Sequence, residues 1–201
     1  RSTLFPYTTL FRSPAGIEAA TYLIAAAITK GGIVLTDVRP AHLKAVTDKL
    51  RKCGMRIRET ENTIAAKWVK ELKPCNISTE VYPGFPTDAQ AQWTALMCLL
   101  KGKSTVKENV FENRFLHVAE LQRLGADLSV DGKFVNIRGV GKLSGAPVMV
   151  SDLRAGAALV LAGLAAEGKS AVSRIYHLDR GYEFLEKKLK KLGADIKRVK
   201  K

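Results

Sequence analysis

The chain carries one pattern three times, at intervals of about seventy residues. In each copy a helical segment ends at a glycine and an extended segment follows; these glycines are Gly54, Gly125 and Gly193. A second set of glycines closes three alanine- or leucine-rich segments, at Gly31, Gly102 and Gly168. The intervals are 71 and 68 residues in the first set and 71 and 66 in the second. A period of this length indicates one folding unit copied three times, so we expect a three-lobed domain with sites where the copies meet.

Each copy reads as βαβαββ, which predicts an α/β fold built from three similar units. The predicted units cover about residues 14–73, 74–145 and 146–201. The pattern is incomplete at both ends. The first unit lacks an opening strand after residue 14, and the third ends one strand early, after a predicted helix over 182–192 and a predicted strand over 194–199.

The first thirteen residues share no register with the repeats, and two short stretches within them nearly echo each other. We interpret residues 1–13 as a non-native tag or an artefact of sequence assembly and leave them out of the fold prediction. The alternative is that they form a short native edge strand.

Composition narrows the class of protein. The chain has 201 residues, 46% of them hydrophobic, and is long enough to bury a full core. The apolar run from Ala19 to Ile28 is too short to cross a bilayer, so we expect no membrane span. Three cysteines without paired spacing indicate a reducing compartment. No cluster of candidate ligands suggests a metal site.

The net charge of +14 raises the alternative of a basic module that binds nucleic acid. Much of this charge lies on predicted helix surfaces, and only 7% of the residues are aromatic, with no stacking pattern among the basic ones. Solvated helix faces, or attraction of a small anionic ligand, explain the charge better than a polynucleotide groove does. Polynucleotide binding would weaken steeply with added salt.

Two aspartates precede predicted helices at nearly equivalent points of the second and third copies, Asp88 and Asp152. Each could simply be a helix N-cap. Nearby loops also contain Arg114 and Arg180, and a carboxylate beside guanidinium groups suits removal of a hydroxyl proton while phosphate oxygens are held. Two histidines, His117 and His177, are expected to be structural, and a third, His42, exposed.

Five segments then resemble the UDP-N-acetylglucosamine 1-carboxyvinyltransferases, which are enolpyruvyl transferases. These segments are residues 85–92 (FPTDAQAQ), 110–115 (VFENRF), 142–146 (KLSGA), 152–155 (DLRA) and 179–183 (DRGYE). They occur in the family's order within a likeness that covers residues 16–201. One departure is that Ala15-Gly16-Ile17 stands before Glu18, where the family tends to have Asp-Arg-Ile.

The resemblance implies the enolpyruvyl transferase fold, an inside-out α/β barrel of which residues 14–201 would form the second, C-terminal domain. It implies roles for six residues. Catalytic roles would fall to Asp88, as general base, and to Asp152 and Arg180. Substrate binding would fall to Asp88, Val110, Arg114, Arg154 and Arg180.

The resemblance also implies the reaction, in which the enolpyruvyl group of phosphoenolpyruvate moves onto the 3′-hydroxyl of UDP-N-acetylglucosamine. This reaction opens peptidoglycan synthesis in the bacterial cytoplasm and uses no metal or other cofactor. The family's catalytic cysteine lies on a loop of the N-terminal domain, and none of the three cysteines here matches it. We therefore expect this chain to be inactive without that domain. The alternative on the same fold is a shikimate-type enolpyruvyl transferase.

Overall fold

The computed structural model describes residues 9–12 and 16–199. Its helices are α1 Gly16–Ile28, α2 Pro40–Cys53, α3 Gln90–Leu99, α4 His117–Arg123, α5 Leu153–Ala165, α6 Tyr176–Asp179 and α7 Leu185–Lys191. Its strands are β1 Thr9–Arg12, β2 Gly32–Thr36, β3 Arg56–Glu59, β4 Thr63–Lys67, β5 Ile77–Ser78, β6 Gly102–Lys107, β7 Asp127–Asp131, β8 Phe134–Gly139, β9 Pro147–Met149 and β10 Ala171–Ser173. A single 3-10 turn, Thr87–Ala89, leads into α3.

The sheets repeat one topology. The first has the strand order β1-β2-β4-β3 and the second the order β5-β6-β8-β7. In both, the first pair is parallel and the other two pairs are antiparallel. The third sheet is the parallel pair β9 and β10. The predicted α/β fold of three similar units is thereby confirmed.

Two details at the ends of the repeat were predicted wrongly. The first unit does have an opening strand, because Thr9–Arg12 pairs in parallel with β2, from Thr9 opposite Ile33 to Arg12 opposite Thr36. Strand pairing uses backbone groups, so a segment outside the repeat register can fill this place. The interpretation of residues 1–13 as foreign remains a prediction, and most of them lie outside the described residues.

At the other end, residues 194–199 form no strand, although one was predicted there. In its two full copies the unit pairs the corresponding strand with an antiparallel neighbour, and the described part of the third sheet contains only β9 and β10. The helix predicted over 182–192 covers only Leu185–Lys191. It begins after Phe184, whose φ of 49° is left-handed and separates α6 from α7.

Three helices form the centre of the molecule, one from each unit: α1, α3 and α5. Most residues of α1 and α3 are buried, as is the middle of α5 from Ala155 to Ala162, and the buried residues are mainly apolar. A small polar contact joins α1 and α3 to the segment before α7, because Thr21 Oγ1 lies 2.8 Å from the hydroxyl of Tyr182 and Gln92 Nε2 donates to both. The sheets and outer helices surround this centre. Within the described ranges, no helix is long and apolar enough to span a membrane.

Candidate active site

The candidate site lies where the loops before α3 and α5 meet. Asp88 lies in the turn before α3, and one of its oxygens, Oδ1, accepts hydrogen bonds from Arg154. Both Nε and Nη2 of Arg154 lie 2.7 Å from that oxygen. The Asp88 side chain is 44% exposed and that of Arg154 is 29% exposed. The carboxylate is therefore oriented by the protein and still reachable by a ligand.

Asp152 is the N-cap of α5, as the simpler of its two sequence interpretations predicted. Its Oδ1 accepts from the backbone amides of Arg154 at 2.9 Å and Ala155 at 3.1 Å. These two hydrogen bonds fix the first turn of α5. The Arg154 side chain extends from this turn to Asp88. The structure thus places Asp152 beside the candidate base, through Arg154.

The repeat relates Asp88 to Arg154, and the predicted equivalence of Asp88 with Asp152 is inaccurate by two residues. Asp88 lies 14 residues before Gly102, and Arg154 lies 14 before Gly168. An acidic and a basic side chain thus occupy corresponding places in two copies and face each other. Asp152 lies 16 residues before Gly168, so the glycine spacing in the sequence already identifies Arg154 as the equivalent of Asp88.

Arg114 approaches the same carboxylate from the loop after β6. Its Nη1 donates to Thr87 Oγ1 at 2.9 Å and lies 3.6 Å from Asp88 Oδ1. Its guanidinium lies 3.6 Å from the centre of the Phe111 ring, a cation–π contact. Burial, followed by the charge of Arg154, lowers the pKa of Arg114, while the nearby carboxylates oppose this shift. A guanidinium remains charged at neutral pH all the same.

Val110 lies at the edge of an open groove of about 730 Å³, lined by residues 79–84, 109 and 110. Its backbone amide donates to Oε1 of Glu108 at 2.9 Å. Sequence reasoning missed Glu108, because a glutamate at the end of a predicted strand is normally exposed to solvent and nothing in the local sequence indicates that this one is buried.

Arg180 takes no part in the ion pairs of Asp88 described above, which are with Arg114 and Arg154. It follows α6, and the next residue, Gly181, packs so closely on the first residue of α5 that an added Cβ would lie 2.7 Å from Leu153 Cδ2. The backbone at Arg180 therefore lies beside the start of α5, where Asp152 is the cap. The Arg180 side chain is exposed. Of the residues described, those that pair with Asp88 are Arg114 and Arg154.

Three other candidate side chains are buried and uncharged at pH 7, and a fourth is exposed. His117 is fully buried, and burial lowers its pKa to about 4, against a smaller opposing effect of Asp152, so it is neutral at pH 7. Burial raises the pKa of Cys53 and of Cys98 to about 12, which keeps both as thiols. His42 is exposed, as expected. In the part of the chain that the structure describes, no group of three or more His, Cys, Asp or Glu side chains could hold a metal ion.

The arrangement can perform two chemical tasks. A partly exposed carboxylate can accept a proton from a hydroxyl group placed against it. The guanidinium groups around it can bind the oxygens of a phosphate or carboxylate and stabilise negative charge that develops during a reaction.

The chain is similar to known proteins over most of its length. The family described as EPSP synthase (3-phosphoshikimate 1-carboxyvinyltransferase) matches residues 13–189. A relative from Endomicrobium trichonymphae, named UDP-N-acetylglucosamine 1-carboxyvinyltransferase, is 74% identical over 184 residues, which are 92% of this chain and 44% of the relative. A protein of the same name from Geotalea daltonii is 55% identical over 186 residues, 92% of this chain and 45% of that protein.

A solved structure shows the same fold. The crystal structure of the enolpyruvyl transferase NikO from Streptomyces tendae matches with a TM-score of 0.80 at 30% sequence identity, over 90% of this chain and 43% of that one. The chain thus spans less than half the length of the relatives that it matches. These comparisons confirm the resemblance and the fold that the five sequence segments predicted.

Proposed function

Because the chain belongs to the EPSP synthase family, we propose that it is the base-bearing part of a UDP-N-acetylglucosamine 1-carboxyvinyltransferase. The observation that carries the proposal is Asp88, a partly exposed carboxylate held between Arg154 and Arg114. The most similar relatives reported above carry this name, whereas the family description names the shikimate enzyme. The names of the relatives support the UDP-N-acetylglucosamine enzyme more strongly, because their identity to this chain is high and a family description covers many members.

In the proposed reaction Asp88 accepts the proton of the sugar 3′-hydroxyl. At the same time the oxygen of that hydroxyl forms a bond to C2 of phosphoenolpyruvate. C3 gains a proton at the same time, from an acid that the partner domain would supply. The tetrahedral intermediate then loses a proton from C3, and the bond from C2 to the phosphate oxygen breaks. Phosphate leaves and the enolpyruvyl ether remains.

The arginines have separate proposed tasks. Arg154 orients Asp88 and would turn towards substrate oxygens once the carboxylate accepts a proton. Arg114 adds a fixed positive charge beside the same carboxylate, and Arg180 would hold phosphoenolpyruvate from its exposed position next to α5. Asp152 acts through the start of that helix. The Val110 backbone, at the edge of the groove, would contact the nucleotide sugar.

The remainder of the active site would come from an N-terminal domain that carries the catalytic acid. Closure of that domain on this one would exclude water from the reacting groups. We propose UDP-N-acetylglucosamine and phosphoenolpyruvate as substrates, and the first committed step of peptidoglycan synthesis in the cytoplasm as the biological role. The isolated chain is then expected to bind substrates weakly and to release no phosphate.

The proposal is tested by joining the chain to the N-terminal half of the Endomicrobium trichonymphae relative and measuring phosphate release. We expect the chimera to release phosphate when UDP-N-acetylglucosamine and phosphoenolpyruvate are both present. Replacing Asp88→Asn should lower kcat by about a hundredfold or more, because the amide cannot accept the proton. The matched control Asp131→Asn, at the exposed end of β7, should leave kcat unchanged.

Three results would contradict the proposal. Full activity of the Asp88→Asn chimera would remove this carboxylate from the mechanism. Turnover with shikimate 3-phosphate in place of the nucleotide sugar would assign the chain to the alternative enzyme on the same fold. An inactive parent chimera that is folded and binds neither substrate would refute both assignments.

A further inference from the structure

Glu108 is a buried carboxylate with both oxygens in use. It follows β6 and is only 2% exposed. Its Oε1 accepts from Thr79 Oγ1 at 2.6 Å and from the backbone amides of Val110 and Phe111 at 2.9 and 3.2 Å. Its Oε2 accepts from Thr87 Oγ1 at 2.9 Å. One side chain thus joins three loop segments that come from different points of the second unit.

The bond to Thr87 leads directly to the candidate base. Because the Thr87 hydroxyl donates its proton to Glu108, its lone pairs are free to accept from Arg114 Nη1, at 2.9 Å. Thr87 also precedes Asp88 in the chain, and Arg114 lies 3.6 Å from that carboxylate. The position of Asp88 and the position of its second arginine therefore both depend on one hydroxyl, whose direction Glu108 determines.

The other two copies have no buried carboxylate at the corresponding position. The corresponding residues, 71 positions earlier and 66 positions later, are Asp37 and Arg174. Each directly follows the strand equivalent to β6, and both are exposed. Both have a left-handed backbone, each with φ of 56°. The copy that carries Asp88 thus differs from the other two, in which this position is exposed and has a left-handed backbone.

We propose that Glu108 is a positioning residue, which holds Asp88 and Arg114 in place through the Thr87 hydroxyl and holds the Val110–Phe111 backbone directly. This role rests on the proposed function, since its purpose is to orient the base that the reaction needs. It also predicts a specific weakness, because glutamine at position 108 presents an NH2 group in place of one oxygen. If the NH2 takes the place of Oε2, Thr87 loses its acceptor; if it takes the place of Oε1, three donors lose theirs.

The first test uses the 201-residue chain and needs no activity. In the Glu108→Gln variant, amide hydrogen exchange at Val110 and Phe111, measured by NMR, should accelerate about tenfold, because a neutral amide accepts more weakly than a carboxylate. The control Glu120→Gln removes a carboxylate that accepts from the Met149 amide at 2.9 Å, outside these loops. It should accelerate exchange at Met149 and leave Val110 and Phe111 unchanged.

The second test uses the chimera described above and a matched pair of variants at the linking residue. Thr87→Val removes the hydroxyl at nearly constant shape, and Thr87→Ser retains it. We expect Thr87→Val and Glu108→Gln each to lower kcat about tenfold to a hundredfold, the range expected for a misplaced catalytic group. Thr87→Ser should stay within about threefold of the parent, and the KM for phosphoenolpyruvate should change little in all three.

Because the two residues act through one link, their effects should not multiply. The double variant should be no more than about threefold slower than the slower single variant. Parent-like kcat in Thr87→Val, independent multiplying effects, or unchanged exchange in Glu108→Gln would each overturn the positioning role. A parent chimera that is folded, inactive and binds neither substrate would instead refute the proposed function, and the exchange measurement would still decide whether Glu108 holds the loop.

Discussion

A single oxygen of Asp88 lies 2.7 Å from Arg154 and 3.6 Å from Arg114. Each arginine is held by further contacts, Arg154 by the start of α5 and Arg114 by Thr87 and Phe111. The charges therefore stand in place before any ligand arrives, and little reorganisation would be needed at the moment of reaction.

His117 provides a residue-scale prediction about pH. Burial lowers its pKa from 6.5 to about 4, so the folded protein favours the neutral form. The stability that depends on a neutral His117 is complete above pH 6.5 and is lost as the pH falls towards 4, because the unfolded chain binds the proton first. Between pH 7 and 4, the wild-type chain should lose about 3 kcal/mol more of its unfolding free energy than the His117→Gln variant.

Urea unfolding at several pH values measures this difference. The control is His42→Gln, the same substitution at an exposed histidine, which should follow the wild-type curve. Parallel pH profiles for wild type and His117→Gln would show that the buried imidazole does not govern acid stability.

At the scale of helices and strands, sequence reasoning succeeded where hydrophobic periodicity and glycine stops agree. The central helices, the second four-stranded sheet and the strands β2, β3 and β4 of the first sheet follow from that signal. It failed where an element needs a distant partner: the strand predicted over 194–199 has no antiparallel neighbour, while β1 forms because β2 offers a free edge. Pairing of this kind depends on tertiary contacts that local sequence does not carry.

The same distinction applies to the site. Aspartate and arginine in loops between predicted elements were recognisable, because charged side chains in connecting loops are often functional. Glu108 was not, since burial of a carboxylate depends on donors from three segments. Its counterparts Asp37 and Arg174 give the one available sequence signal, a loop position at which the three copies differ.

The end of β8 provides an element-scale prediction. Gly139 passes so close to the C-terminal end of α3 that an added Cβ would lie 1.7 Å from the carbonyl oxygen of Leu100. Gly139→Ala must therefore separate the strand from the helix and should lower the unfolding free energy by about 3 kcal/mol, at the upper end for overpacking. Thermal or denaturant unfolding measures the change.

Gly16 is the matched control, because an added Cβ there meets no atom within 4 Å. Gly16→Ala, in the first turn of α1, should leave stability unchanged or raise it by up to about 1 kcal/mol. Equal effects of the two substitutions would mean that the contact between β8 and α3 tolerates expansion.

At the scale of the whole molecule, three buried helices from three repeats hold the units together. The polar contact among Thr21, Gln92 and Tyr182 links α1 and α3 to the segment that leads into α7. Thr21 and Gln92 occupy corresponding positions, each ten residues before its helix-ending glycine. The Tyr182 hydroxyl enters beside them from the third unit, where the corresponding residue is Ala158.

Removing that hydroxyl should weaken the association of the three units. Tyr182→Phe should lower the unfolding free energy by about 1 kcal/mol, since Thr21 and Gln92 keep a bond to each other. The exposed Tyr176 is the control, and Tyr176→Phe should have no effect in the same denaturant titration. A Tyr182→Phe chain as stable as the wild type would show that the buried hydroxyl contributes nothing.

The correspondence of Asp88 with Arg154 limits how such a domain can have originated. The third corresponding residue, 14 positions before Gly31, is the uncharged Ile17. A homotrimer of identical single units could build a symmetrical scaffold, but it would place the same side chain three times at the position of Asp88 and Arg154. Three carboxylates or three guanidinium groups there would repel one another. The pair of Asp88 with Arg154 therefore depends on a difference between two copies, which a trimer of identical units cannot have at equivalent positions.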